Sequence, residues 1–161
     1  MAMASARLKQ ERKEWRKDHP PDYVAKPKNK ADGSSDLMCW HCVIPGKKGS
    51  LWEDCKLTLE ITFSNDYPMT PPVVKFVPLL WHMNVWSSGR ICLNILNPED
   101  GTWHGKWSPS VTIKQILVAI PELLANPYPA GARPEVQKLW ETNRPAYDKR
   151  LKEEAAKYKV A

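Results

Sequence analysis

The stretch KLTLEITF at residues 56–63 alternates polar and apolar side chains without a break. Successive side chains of a β-strand point to opposite faces of a sheet, so this alternation predicts a half-buried strand. Pro68, Pro71 and Pro72 forbid regular structure directly after it, and an apolar run at 73–77 predicts the next strand. Strands that follow one another through short connections favour an antiparallel meander.

Two more strands are predicted upstream of this pair. Residues 37–44 form an apolar run that contains Trp40, and residues 22–30 have a weaker strand pattern. Between them lies Asp32-Gly33, which is a turn signal. The sheet therefore has four predicted strands.

Helices are predicted on both sides of the strands. Residues 4–18 place Leu8 and Trp15 at helical spacing as a buried pair, and Pro20 should stop this helix. Downstream, Thr112 can cap a helix whose apolar stripe is formed by Ile113, Ile116, Leu117, Ile120, Leu123 and Leu124.

Prolines divide the C-terminal helical region. Pro121 lies inside the apolar stripe and should kink that helix or end it early, because it removes a hydrogen bond to Leu117. Pro134 should start a third helix through about Arg144, and Pro145 should separate it from a last helix. One helix, four strands and then helices predict an α+β fold with segregated helices.

Length and composition limit the classes of function. The 161 residues fit one domain, and 42% hydrophobic residues exclude a disordered body. No apolar run is long enough to cross a membrane, and the charged start is unlike a signal peptide, so we expect an intracellular protein without a membrane partner. The net charge of +6 suits an acidic partner or nucleic acid. Many aromatic residues lie near apolar runs, which disfavours a nucleic-acid binder.

The chain has four cysteines, which we expect to be reduced. Cys39 and Cys42 form a C-x-x-C, but no second pair follows and strand geometry puts them on opposite faces, so no metal site is predicted. Cys92 follows a glycine turn and precedes an apolar run. It is either a small core residue or a nucleophile, and buried, inert cysteine is the commoner case.

Five segments resemble the ubiquitin-carrier (UBC) family, and they occur in the family's order. They are RLKQERKEWRKDHP at 7–20, IPGKKG at 44–49, DYPMTPP at 66–72, HMNVWSSGRICLNIL around Cys92 and TIKQIL at 112–117. The basic first helix and basic loop are most similar to its SUMO-conjugating branch. The resemblance implies the UBC fold, with a helix, a four-stranded antiparallel sheet and C-terminal helices, as a single catalytic domain over residues 1–161.

The resemblance also implies a reaction. Cys92 would accept SUMO as a thioester from the activating enzyme and transfer it to a substrate lysine as an isopeptide. A thiolate suits this because it is a strong nucleophile and a good leaving group, and no cofactor is implied because the acyl group arrives activated. Asn84 matches the family asparagine that stabilises the tetrahedral oxyanion. The alternative role of Asn84 is to hold the loop over Cys92 by hydrogen bonds, and the two roles do not exclude each other.

Several positions depart from the family pattern. His82-Met83-Asn84 replaces the usual His-Pro-Asn, which affects the rigidity of the loop, and His82 is expected to be a structural hydrogen-bonding residue. Trp86 stands where a tyrosine is usual and Gly131 where an aspartate is usual, so we expect slower discharge onto lysine. The nearest carboxylate downstream is Glu135, and an insertion after Cys92 supplies two more carboxylates, Glu99 and Asp100.

Three residues resemble the patch that recognises an acidic residue after the acceptor lysine. Ser88 and Lys75 match it directly, and Arg90 replaces a threonine. The alternative is that Ser88 and Arg90 are simple turn residues beside Gly89.

The first helix resembles a docking face. Arg12, Arg16 and His19 match the residues that bind a second SUMO and the activating enzyme, whereas a generic basic helix would be a solvated face. The implied partners are SUMO, its activating enzyme, SUMO ligases and substrate proteins with acceptor lysines, with no specific nucleic acid, in the nucleus and cytoplasm. A ubiquitin carrier and a UBC-like SUMO-binding module with weak transfer stay open as alternatives.

Overall fold

The computed structural model describes residues 2–97 and 107–160. Its sheet has four antiparallel strands in chain order, each paired with the next, which confirms the predicted meander. The strands are β1 Val24–Asn29, β2 Ser35–Pro45, β3 Lys56–Thr62 and β4 Val73–Phe76. The register places Trp40 of β2 opposite Ile61 of β3, and Ile61 opposite Val74 of β4.

In the described ranges one helix precedes the sheet and three α-helices follow it, so the predicted α+β fold is confirmed. They are α1 Ala2–Lys17, α2 Ile113–Ala125, α3 Pro134–Thr142 and α4 Arg144–Ala156. A 3₁₀ turn, Asn94–Leu96, follows Cys92. Within the described ranges, no helix has the length and apolar character needed to span a membrane.

The apolar stripes found in the sequence meet in one core. Leu57, Leu59 and Ile61 of β3 are buried, as are Leu8 and Trp15 of α1 and the whole predicted stripe of α2. Both α1 and α2 contact β2, so the helices cover one face of the sheet. Each fully buried aliphatic side chain contributes about 1.5–3 kcal/mol to folding, which makes this core the main source of stability.

A buried carboxylate joins α1 to the start of α2. Glu11 is 6% exposed, and its Oε1 accepts a hydrogen bond from the Ile113 backbone N–H at 2.7 Å. A negative charge is favourable at a helix N-terminus, where N–H groups lack partners within the helix. Thr112 and Gln115 form a reciprocal capping box at the same end, which confirms Thr112 as the cap.

Pro121 does not end α2 early, because the helix continues to Ala125 with Pro121 buried in its apolar face; the other expected outcome, a kink, stays a prediction. The expectation about Pro145 was wrong. Pro145 does not separate two helices but lies in the first turn of α4, where a missing N–H costs little. The third helix consequently ends at Thr142, short of the expected Arg144.

Four of the seven tryptophans that the structure describes are buried in the core. Trp15, Trp40, Trp52 and Trp107 are buried, and among the tryptophans that the structure describes Trp86 has the largest exposed fraction, 37%. Rings buried in this way cannot stack on bases. Their placement agrees with the expectation that the aromatic residues serve packing.

Candidate active site

A small hairpin carries the chain from the sheet to Cys92. Its turn is closed by the Gly89 N–H, which donates to the Trp86 carbonyl at 2.9 Å. Gly89 has φ of +94°, a conformation that favours glycine. The returning arm pairs with β4, where the Ile91 N–H donates to the Val74 carbonyl at 3.0 Å. Cys92 therefore follows directly after a backbone segment fixed to the sheet edge.

Cys92 is partly exposed to solvent. Its side chain is half-buried, whereas Cys42 and Cys55 are buried. Burial raises the pKa of the Cys42 thiol to about 12 and also raises the pKa of Cys55, so both stay protonated and unreactive. Cys39 is half-buried on β2, and burial raises its pKa as well. The partly exposed position of Cys92 favours the nucleophile interpretation over the core one.

Asn84 connects two loops and the cysteine. Its side chain is buried; Nδ2 donates to the Tyr128 carbonyl at 2.8 Å, and the Tyr128 N–H donates to Oδ1 at 3.0 Å. Its own carbonyl accepts from the Cys92 N–H at 2.8 Å. These contacts confirm that Asn84 holds the loop. Stabilisation of the oxyanion by Asn84 stays a prediction.

The segment before the hairpin is held by consecutive buried side chains. His82, Met83, Asn84 and Val85 are all inaccessible to solvent. The His82 ring accepts the Asn84 N–H at Nδ1 over 3.0 Å, which agrees with its expected structural role. Burial of Met83 supplies packing contacts in place of the torsional restraint of a proline.

Tyr128 was missed by sequence reasoning. Its hydroxyl lies 3.7 Å from the Cys92 Sγ, 3.4 Å from the Cys92 carbonyl oxygen and 3.4 Å from Asn94 Oδ1. Burial, reinforced by the neighbouring Cys92, raises the pKa of Tyr128 to about 12, so its proton stays on the oxygen at neutral pH. In the sequence, Tyr128 stands between Pro127 and Pro129, in a loop and not in an apolar stripe. An aromatic residue in such a loop was the sequence signal for a functional role.

Arg133 was also missed. Its side chain is only 7% exposed, and Nη1 donates to the carbonyls of Val85 at 2.8 Å and Leu80 at 3.3 Å. A third, longer contact of 3.5 Å reaches the Trp86 carbonyl. Its Nε lies 2.6 Å from Glu135 Oε1. Arg133 therefore fastens the segment that leads into the hairpin.

Comparison with known proteins identifies the fold around this thiol. Residues 7–155 match the family model described as ubiquitin-conjugating enzyme. The chain belongs to the ubiquitin-conjugating enzyme family. It is 43% identical over 157 residues to "SUMO-conjugating enzyme UBC9" of Caenorhabditis elegans, an alignment covering 97% of this chain and 92% of the relative.

Two further relatives match over the same length. "SUMO-conjugating enzyme SCE1" of Arabidopsis thaliana is 45% identical, with 97% of this chain and 95% of the relative covered. "Sumo-conjugating enzyme ubc9" of Dictyostelium discoideum is 43% identical, with 97% and 96% covered. The similarity thus spans the sheet, the hairpin and the C-terminal helices together.

Four predicted groove residues of this ubiquitin-conjugating enzyme lie together on the hairpin and β4. Lys75 and Arg90 are bridge partners, and the Arg90 carbonyl accepts from the Trp86 N–H at 2.9 Å. The Arg90 N–H lies 3.4 Å from Ser88 Oγ. Ser88 lies in the turn, Arg90 is in the bridge to Lys75, and both residues are exposed. Recognition of an acidic residue by this patch stays a prediction.

The fifth groove residue, Gly131, belongs to the loop between α2 and α3. It is exposed with φ of +74°, and its N–H donates to Gln137 Oε1 at 2.9 Å. Of the carboxylates considered as substitutes for the family aspartate, Glu135 has a lowered pKa, because its own backbone N–H and Arg133 stabilise its charge. A weakened base of this kind is poorly suited to deprotonating an amine. Glu99 and Asp100 lie outside the described residues.

The predicted docking residues of this ubiquitin-conjugating enzyme share one groove. Arg12, Arg16 and His19 line a cavity of about 530 Å³ between α1 and β1, together with Lys26 and Lys28. His19 is fixed there by stacking on Trp15 at a ring distance of 4.9 Å. The groove is rich in cations and suits an acidic protein segment. Docking itself stays a prediction.

Proposed function

We propose that this enzyme conjugates SUMO, using Cys92 as its acyl carrier. The observation that carries the proposal is the similarity across 97% of the chain to three relatives named SUMO-conjugating enzymes. The half-buried thiol after the hairpin and the cationic groove on α1 support it. The partners are SUMO, its activating enzyme and substrate proteins. We also propose SUMO ligases as partners and a location in the nucleus and cytoplasm.

The reaction has two acyl transfers. In charging, the Cys92 thiolate attacks the thioester carbonyl carbon that links SUMO to the activating enzyme, and the thiol of the activating enzyme leaves. In discharge, the amine of a substrate lysine attacks the Cys92 thioester. The new C–N bond forms, the C–S bond breaks, and the sulfur keeps its electron pair. Asn84 is proposed to donate to the oxyanion that forms in between.

The amine must lose a proton before or during its attack. A lysine in water has a pKa of about 10.4, so at neutral pH most amines are protonated. Neither Trp86 nor Gly131 carries a carboxylate, and the nearby Glu135 is engaged with Arg133. We therefore assign the amine step to positioning and desolvation against the Trp86 indole, with discharge slower than in relatives that have an acid there.

A thioester gel tests the proposal. The chain is incubated with ATP, SUMO and the SUMO-activating enzyme, and in parallel with ubiquitin and its activating enzyme. We expect a SUMO adduct that dithiothreitol removes. Cys92→Ser should give an oxygen ester that survives the reductant, and Cys39→Ser, a change at another half-buried thiol, should behave as wild type. An adduct with ubiquitin in place of SUMO would establish the ubiquitin-carrier alternative.

The weak-transfer alternative is favoured by one observation, the glycine at position 131 where a carboxylate is usual in the family. Single-turnover discharge separates it from an active enzyme. Preformed Cys92 thioester is mixed with a lysine peptide, and its decay is followed against buffer. Decay accelerated by the peptide identifies a conjugating enzyme, whereas decay at the buffer rate identifies a binding module.

A further inference from the structure

We propose that the Tyr128 hydroxyl is a catalytic hydrogen-bond donor to the sulfur of Cys92. This inference rests on the proposed function for its role in transfer. The contact itself is independent of it, because Tyr128 Oη already lies 3.7 Å from Sγ in the free chain. Distances up to about 4 Å are usual for hydrogen bonds to sulfur, since its radius is large and its lone pairs are diffuse.

The hydroxyl is not committed to another acceptor. Its two oxygen contacts, to the Cys92 carbonyl and Asn94 Oδ1, are both 3.4 Å long. Strong O–H···O bonds are 2.7–2.8 Å, so neither of these holds the proton firmly. A phenol O–H has two preferred orientations in the plane of its ring, separated by a low barrier. When negative charge develops on Sγ, rotation toward the sulfur forms a charge-assisted bond at little energetic penalty.

The backbone of Tyr128 is held so that the hydroxyl reaches the sulfur. Both its N–H and its carbonyl are bonded to the Asn84 side chain, at 3.0 and 2.8 Å. Asn84 is in turn bonded through its carbonyl to the Cys92 N–H. One closed set of contacts thus fixes the distance between the phenol and the thiol. A preorganised donor of this kind needs no rearrangement at the moment of reaction.

The donor acts where sulfur carries charge. In charging, the Cys92 thiolate is the nucleophile, and a donor increases its population at neutral pH. In discharge, nitrogen forms its bond to the carbonyl carbon and the C–S electron pair returns to Sγ, which leaves as a thiolate bonded to the Tyr128 O–H. The proton lost by the amine goes to water. Burial keeps the phenol protonated, so Tyr128 donates and is not a base.

Tyr128→Phe tests this inference because it removes the hydroxyl and keeps the ring. The rate of alkylation of Cys92 by iodoacetamide is measured at neutral pH, with the Cys92 peptide followed by mass spectrometry. We expect alkylation at neutral pH to slow by about two- to threefold, because the loss of the donor lowers the thiolate population more than it raises the nucleophilicity of the thiolate. Single-turnover discharge should slow by about tenfold.

Two further proteins keep the result interpretable. Tyr158→Phe removes the hydroxyl of another half-buried tyrosine and should leave both measurements unchanged. 3-Fluorotyrosine installed at position 128 is a stronger donor that stays protonated at neutral pH. It should speed alkylation there, which decides the matter even where the phenylalanine variant folds poorly. An unchanged alkylation rate in both Tyr128 proteins would overturn the inference. If no modifier charges Cys92, the proposed function fails, but the alkylation rate still tests the contact.

Discussion

The imidazole of His82 donates from Nε2 to the Leu124 carbonyl at 3.1 Å, near the end of α2. Its other nitrogen accepts the Asn84 N–H, so the ring is neutral with its proton on Nε2. Complete burial, the main cause, lowers the pKa of His82 to about 4. The ring thereby links α2 to the segment that precedes the active-site hairpin.

This linkage predicts that the protein loses stability in mild acid. The unfolded chain protonates His82 below about pH 6.5, whereas the folded chain does so only near pH 4. Between these values the unfolded state binds more protons, so the free energy of unfolding falls as pH falls. We expect a decrease of about 2 kcal/mol from pH 7 to pH 5, measured by urea denaturation.

The matched variant for this measurement is His82→Gln. It is expected to be less stable at pH 7, because a buried aromatic ring is replaced, but its free energy of unfolding should be nearly flat between pH 7 and 5. His41 lies on β2, and His41→Gln should retain the wild-type slope. If His82→Gln keeps that slope, another group is responsible.

Asn84→Ala should damage both stability and transfer. Removal of the side chain leaves the N–H and carbonyl of Tyr128 without partners, which we expect to lower the free energy of unfolding by about 2 kcal/mol. Loss of an oxyanion donor should slow discharge by about 10²-fold. Urea denaturation and single-turnover discharge at 20 °C measure the two effects. A destabilised variant with normal discharge would restrict Asn84 to holding the loop.

Arg133→Met should loosen the segment before the hairpin. The change leaves the carbonyls of Val85 and Leu80 without their buried donor, and we expect a loss of about 2–3 kcal/mol in the free energy of unfolding. The control is Glu135→Gln, because the Glu135 side chain is 64% exposed and its ion pair contributes little. That variant should stay within about 0.5 kcal/mol of wild type. Equal losses in both would mean that the ion pair, and not the carbonyl contacts, matters.

Charge reversal in the groove between α1 and β1 should weaken non-covalent SUMO binding. Arg16→Glu introduces a negative charge beside Arg12, and we expect roughly tenfold weaker affinity by isothermal titration calorimetry. Lys13→Glu makes the same change in net charge at an exposed position on α1 that does not line the groove. It should bind nearly as wild type. Matching losses in the two variants would assign the effect to overall charge.

The fold was largely predictable because its signals are local. Alternation at residues 56–63 and the cap at Thr112 depend only on neighbours in the chain, and both were confirmed. The sequence left two outcomes open for Pro121, a kink or an early end of α2, because its effect depends on burial, which local pattern does not report. The buried face of α2 outweighs the loss of one hydrogen bond to Leu117.

The site was predictable only in part. The prediction that Asn84 holds the loop over Cys92 came from the stretch that resembles the family, and the structure confirms it. Tyr128 and Arg133 act on the same loop from 36 and 48 residues away, through contacts to Cys92 and Val85. Both residues lie between α2 and α3, and no spacing rule connects positions so far apart in the chain.

The active-site hairpin also completes the sheet. Without it, β4 would present a row of unpaired backbone groups, and open strand edges invite other chains to pair with them. The Phe76 N–H instead donates to the Gly89 carbonyl at 2.8 Å, so the edge is occupied. The hairpin that carries the chain to Cys92 therefore also prevents the edge of β4 from pairing with other chains. Solubility and activity thus depend on the same few backbone hydrogen bonds between the hairpin and β4. A mutation that breaks these bonds would produce a protein that is both inactive and prone to self-association.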